Sequence, residues 1–141
     1  MVSCATGCNP LIYKGYGCYC GFLGSGYAVD GIDRCCQLHD WCYDNANCPM
    51  FLEYFVPYYW KCYRNTPLCG KHSCFIISVL LKRYFPAVSE EQWGGRRSCA
   101  YKLCECDRIL SECFSRYPCP SSRALCRSST WRFVQNAFMI F

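Results

Sequence analysis

The spacing of apolar and polar positions changes character several times along this chain. From Asp30 to Asn45, DGIDRCCQLHDWCYDN, the pattern is that of one amphipathic helix. Chemistry-bearing residues fall on one face and cysteines on others. Asp30 or Asp33 can cap its start, because a short carboxylate accepts from the first free N–H groups. His39 and Asp40 are adjacent, and Tyr43 follows at i+4 and i+3, so the three can serve one site. Cys35 and Cys42 stand two turns apart and point the same way. Ser98 to Arg116, SCAYKLCECDRILSECFSR, predicts a second long helix with Cys99, Cys106 and Cys113 on one heptad stripe.

The other segments are less regular. Met1 to Tyr16 carries turn signals at Gly7, Asn9-Pro10 and Gly15. Tyr16 to Gly26, YGCYCGFLGSG, is dense in glycine, which permits positive φ and close approach of backbone to a ligand. Its two cysteines and three aromatics argue against a loose linker. Cys48 to Cys69 is rich in aromatics and broken by Pro49, Pro57 and Pro67 into loops or short strands. The end, Trp131 to Phe141, is apolar but poorly patterned. No internal repeat is evident.

The cysteines of the two helices permit a geometric test. If Cys35 pairs with Cys113 and Cys42 with Cys106, both pairs of residue numbers add to 148. A constant sum is what two antiparallel helices in register require. The same sum puts Asp107 level with Trp41, next to Asp40 and two residues from His39. Cross-linking would therefore bring a second carboxylate up to the histidine.

A chain of 141 residues is enough for one domain and short for two. Seventeen of them are cysteine, a density typical of disulfide scaffolds. They are dispersed rather than grouped in knuckles, and only two histidines are present, which argues against structural zinc. An oxidising compartment follows, and with it a secreted, extracellular protein. Met1 leads straight into Val2, Ser3 and Cys4 without the basic start and apolar core of a signal peptide. A formal charge of +5 gives a modest bias toward anionic surfaces such as lipid, and also toward nucleic acid. No apolar run approaches the ~20 residues that span a bilayer.

Three motifs together, YGCYCG at Tyr16–Gly21, DRCCQLHDWCY at Asp33–Tyr43 and CECD at Cys104–Asp107, resemble the secreted, calcium-dependent phospholipases A2. The resemblance runs from Met1 to about Cys126, and the motifs occur in the family's order. It implies a mainly α, disulfide-rich fold: two long antiparallel disulfide-linked helices, a Gly-rich calcium loop and a small two-stranded β-wing. It also implies calcium-dependent hydrolysis of the sn-2 ester of glycerophospholipids. His39 matches the general base that deprotonates the attacking water, a task suited to an imidazole, which ordinarily titrates near neutral pH. Asp107 matches the carboxylate that holds the other ring nitrogen. Tyr43 and Tyr58 match tyrosines that bond this carboxylate. Asp40 matches a Ca²⁺ ligand, with the backbone carbonyls of Tyr19, Gly21 and Leu23 completing an all-oxygen set. The Gly21 N–H matches the oxyanion donor.

By the same resemblance the disulfides are Cys4–Cys62, Cys20–Cys36, Cys35–Cys113, Cys42–Cys106, Cys48–Cys99, Cys69–Cys104 and Cys18–Cys126. Cys8 with Cys119 is a plausible eighth, leaving Cys74. The implied partner is a phospholipid surface, anionic in view of the charge and touched peripherally, with no transmembrane span and no nucleic acid. Either a monomer or a homodimer fits.

The sequence departs from the family at three places. MVSC matches the end of the family's N-terminal helix, so most of that helix is not in this chain. Leu23 stands where the calcium loop usually has glycine, at a cost of about 1–2 kcal/mol if the position needs positive φ. Cys69 and Cys99 enclose 29 residues, many more than is usual. The extra segment, about Gly70 to Gln92, is either a membrane-dipping loop with Phe75–Leu81 inserted and Lys82-Arg83 at the headgroups, or a stretch outside the folded domain. His72 within it is not expected to be functional. The expected organisation is a domain over 1–126, interrupted at 70–92, and a tail over 127–141 with no pattern that demands order. The alternative function is a non-catalytic relative on the same fold, a receptor ligand, toxin-like binder or scaffold. Replacement of the histidine or the calcium aspartate would favour it, and His39 and Asp40 are both intact.

Overall fold

In a computed structural model, which describes residues 1–48, 56–70 and 97–138, the chain opens with a short helix, α1 (Val2–Thr6), ended by Gly7. A 3₁₀ turn over Pro10–Tyr13 follows, started by Asn9, whose Oδ1 accepts from the Leu11 N–H at 3.0 Å. The first long helix, α2, spans Gly31–Asp44. Asp30 caps it, accepting from the Asp33 N–H at 2.9 Å. Of the two acids able to cap, Asp33 is used otherwise, as described below.

A hairpin separates the two long helices. Strands β1 (Trp60–Tyr63) and β2 (Thr66–Cys69) pair antiparallel, with Trp60 opposite Cys69 and Tyr63 opposite Thr66. The connecting residues, Arg64 and Asn65, have φ of 48° and 60°. Positive φ at both central residues is what a tight turn matched to the strand twist needs. The second long helix, α3, spans Cys99–Phe114, with Ser98 Oγ accepting from the Tyr101 N–H at 3.1 Å.

Among the described residues eight disulfides cross-link these elements: the seven pairs implied by the resemblance, Cys4–Cys62, Cys18–Cys126, Cys20–Cys36, Cys35–Cys113, Cys42–Cys106, Cys48–Cys99 and Cys69–Cys104, and the eighth, Cys8–Cys119, that the remaining cysteines left plausible. The two bonds joining α2 to α3 are those that add to 148, so the helices lie antiparallel in the expected register. Cys74 lies outside the described residues. So do His72 and nearly all of the segment expected either to dip into a membrane or to stand outside the fold. Among the described residues, no helix is long and apolar enough to cross a membrane.

The core forms two clusters along the paired helices. One gathers Tyr13, Tyr16, Ile32 and Phe114 around Cys8, Cys20, Cys35 and Cys36. In it the rings of Tyr13 and Phe114 stack at 4.1 Å between centroids and 5° between planes. The other packs Val56, Ala46, Ala100 and Leu103 beside Tyr43 and Tyr58. It therefore supports the two tyrosines singled out by the sequence.

The tail holds an element that its pattern did not suggest. Residues Thr130–Phe138 form a helix, α4, whose inward face is polar: Arg132, Gln135 and Asn136 are buried. Its aromatic side chains, Trp131, Phe133 and Phe138, are exposed. The helix is inside-out relative to an ordinary surface helix.

Phe114 is almost fully buried, so Phe114→Ala should lower stability by about 3–5 kcal/mol through lost burial and the cavity left against Tyr13. The check is guanidinium unfolding with the disulfides intact.

Candidate active site

One cavity, about 820 Å³, runs along α2 beside the glycine loop. Its wall includes His39, Asp40, Tyr43 and Trp41 from α2, and Tyr19 and Gly21–Gly24 from the loop. Helical spacing explains the α2 contribution, since 39, 40 and 43 share a face. Behind the part of the wall that His39 forms, its Nε2 lies 2.6 Å from Asp107 Oδ1, a contact made possible by the two disulfides that set α3 in register. The Tyr43 hydroxyl donates to the same oxygen at 2.9 Å, and the Tyr58 hydroxyl donates to Oδ2. The rings of His39 and Tyr43 also tilt against each other at 4.4 Å.

These bonds decide the protonation of the cluster. Burial alone would raise the Asp107 pKa. The hydrogen bonds donated by His39, Tyr58 and Tyr43 outweigh it and hold the carboxyl below its ordinary range. An ionised Asp107 is an acceptor only, so the His39 Nε2 facing it is the donor of their bond. Tyr58 is pushed the other way. Burial and its bond to the carboxylate hold its hydroxyl well above the ordinary phenol range, so it stays a donor.

The glycine loop is held by Asp33. This carboxylate is fully buried and accepts from the N–H groups of Cys18 (2.8 Å), Tyr19 (2.8 Å) and Val29 (2.9 Å). Gly17 is required beside it, because a Cβ there would stand 2.5–2.7 Å from the Asp33 carboxylate. The sequence named Asp33 only as a possible helix cap. Leu23 has φ of 55°, so the position usually held by glycine does adopt the left-handed conformation, and leucine bears the strain here.

Asp40 differs from Asp107 in having no donor. Its side chain accepts no hydrogen bond among the described residues, and burial pushes its pKa up to about 6, with His39 opposing. Gly24 approaches it so closely that a Cβ would lie 2.7 Å from Asp40 Oδ2 and 2.7 Å from the Tyr19 ring. Among the described residues, a half-buried carboxylate that accepts no hydrogen bond, facing a loop whose Tyr19, Gly21 and Leu23 carbonyls likewise accept none, suits a hard cation. No group of three His, Cys, Asp or Glu side chains that could hold a metal occurs among the described residues. A cation here would therefore be bound by one carboxylate and backbone oxygens.

The structure thus brings His39, Asp107, Tyr43 and Tyr58 into one bonded cluster, and Asp40, Tyr19, Gly21 and Leu23 around the adjoining space. It also reveals contributors that the sequence left out. Arg132, Gln135 and Asn136 bond the back of the glycine loop. Their i, i+3, i+4 spacing within an otherwise apolar segment is the signal that marks them as one stripe. In comparison with known protein families, the family described as phospholipase A2 matches residues 1–124, covering α1 to α3, the hairpin and the whole cluster.

Tyr58→Phe removes a hydrogen bond to a charged, part-buried acceptor. It should cost about 1.5–3 kcal/mol, read as a lower denaturation midpoint at neutral pH with the disulfides intact.

Proposed function

The chain belongs to the phospholipase A2 family, and we propose on that premise that it hydrolyses the sn-2 ester of glycerophospholipids at a lipid surface in a calcium-dependent reaction. The observation that carries the reading is the ionised Asp107 on His39 Nε2, because it leaves a positioned base open to the cavity. Nδ1 of His39 takes a proton from a water molecule as that water attacks the sn-2 carbonyl carbon. Asp107 holds the ring and stabilises the imidazolium that forms. Tyr43 and Tyr58 hold Asp107. The Gly21 N–H donates to the ester oxygen as it gains negative charge. The imidazolium then returns its proton to the departing glycerol oxygen, and the products are a fatty acid and a lysophospholipid.

Asp40 with the carbonyls of Tyr19, Gly21 and Leu23 would hold the calcium ion. When bound, that ion supplies positive charge for the developing oxyanion and a point of attachment for the substrate phosphate. Exposed apolar side chains line the cavity mouth, including Phe22 and Leu23 on the loop and Trp41 on α2. Such a rim supports action on aggregated lipid rather than on a dissolved ester. The formal charge of +5 supports a preference for anionic surfaces. Disulfide density supports an extracellular location. Residues 1–126 serve as the hydrolytic domain in this reading.

Release of fatty acid from mixed anionic vesicles tests it, with calcium and with excess chelator. The chain should release the sn-2 fatty acid only with calcium, and His39→Gln should lower the rate by about 10²–10⁴-fold. Equal rates in chelator, or in the variant, would overturn the reading.

A further inference from the structure

The carbonyl oxygens of the glycine loop are shared out in an ordered way. Arg132 is fully buried. Its guanidinium donates to the carbonyls of Gly17 (3.1 Å), Cys20 (3.0 Å) and Phe22 (3.3 Å), and to Gln135 Oε1. Gln135 Nε2 donates to the same Phe22 carbonyl at 3.0 Å. Asn136 Nδ2 donates to the carbonyls of Gly15 (2.6 Å) and Gly17 (2.9 Å). Its Oδ1 accepts from the Cys126 N–H at 2.7 Å. That bond ties α4 to the Cys18–Cys126 disulfide and so back to the loop.

Among the described residues no carboxylate lies within ion-pair distance of Arg132; Asp33 and Asp40 act on it only from further off. A buried cation without a counter-ion is costly unless several dipoles converge on it. A planar fork of donors is the side chain that can take several carbonyls at once. The carbonyls it takes in the loop, those of Cys20 and Phe22, alternate with those of Tyr19, Gly21 and Leu23. The second set accepts no hydrogen bond among the described residues and lies in the residues that share the cavity with Asp40.

We propose that α4 is a positioning clamp for the cation site, with Arg132, seconded by Gln135 and Asn136, drawing the Gly17, Cys20 and Phe22 carbonyls to the back of the loop so that the Tyr19, Gly21 and Leu23 carbonyls are presented with Asp40 to Ca²⁺. The proposal rests on the calcium reading of this site. It makes an element outside the matched residues 1–124 a determinant of metal affinity. Arg132 touches neither substrate nor the reacting atoms and acts only through the loop.

Calorimetric titration of the full oxidised chain with calcium tests it, using Asp40→Asn, Arg132→Met, Arg132→Lys, Gln135→Met and, as a control on the exposed face of α4, Phe138→Ser. Arg132→Met should weaken calcium binding by about 10–100-fold, the range for residues that orient metal ligands, while circular dichroism and the disulfide count stay unchanged. Arg132→Lys should restore part of the loss, since a single ammonium keeps the charge and cannot span three carbonyls. Phe138→Ser should leave the affinity within about twofold. In the metal-free chain, hydrogen exchange of the loop amides should quicken in Arg132→Met. An unchanged affinity in a folded Arg132→Met overturns the clamp. So does a tighter one, which would make the guanidinium merely a charge that repels the metal.

If Arg132→Met fails to fold, Gln135→Met decides. It keeps the charge but loses the second bond to Phe22, and undiminished binding there overturns the clamp as well. A wild-type chain that binds no calcium at millimolar concentration removes the calcium reading and the clamp with it. Loss of binding in Asp40→Asn alone, with Arg132→Met unaffected, removes only the clamp.

Discussion

The pairing of Cys35 with Cys113 and of Cys42 with Cys106 is the constraint on which the rest of the structure depends. A single disulfide fixes a point of contact between two helices. Two, spaced seven residues apart on each helix, also fix their direction and register, because the geometry of each bond tolerates little displacement. Once α2 and α3 are held this way, Asp107 can only arrive beside His39. The 2.6 Å hydrogen bond between them forms on a frame set by covalent cross-links two turns apart. A rigid frame of this kind suits a chain of modest length, whose apolar core alone would give limited stability.

The other half of the site is a loop without regular secondary structure, and its backbone polar groups must be satisfied individually. The solution divides the work by charge. Buried Asp33 takes N–H groups of Cys18 and Tyr19, while buried Arg132 takes C=O groups of Gly17, Cys20 and Phe22. An anion on the donors and a cation on the acceptors replace the ladder bonds that a helix or strand would supply. This also explains why α4 turns its polar stripe inward. The surface it covers is backbone rather than apolar side chain, so the usual sense of amphipathicity is reversed. The aromatics of α4 are left outside, among the exposed apolar residues of the molecule.

Two carboxylates close to one histidine are given opposite surroundings. Asp107 receives three donors and is held ionised. Asp40, one residue from His39 and also partly buried, receives none among the described residues, and burial raises its pKa. The contrast separates a carboxylate that orients a base from one that has capacity for an external cation. In the loop, Leu23 keeps the left-handed conformation although a glycine would adopt it more cheaply. The surrounding bonds therefore set the backbone there against the local preference of the residue.

Much of this was legible in the residues. Helical spacing gave α2 and α3, and the numbering of four cysteines gave their register and put Asp107 within reach of His39. Family motifs then supplied seven of the pairings and the companions Tyr43 and Tyr58, while the eighth pair, Cys8–Cys119, was left open by the sequence. These features are readable because they depend on local period or on covalent partners of known geometry. By contrast, the capping choice between Asp30 and Asp33 was not decided by sequence, since both residues can accept the same N–H groups. Only the fold shows that Asp33 is spent on the glycine loop. The role of the tail was hidden for a related reason. TWRFVQNAF carries no apolar face aimed at a core, and its polar stripe acquires meaning only when a loop more than a hundred residues earlier in the chain is brought against it. Spacing and cross-links by themselves determined the frame and the base. Tertiary structure alone decided which polar groups are buried and what satisfies them, because that depends on contacts between segments whose sequences carry no mark of one another.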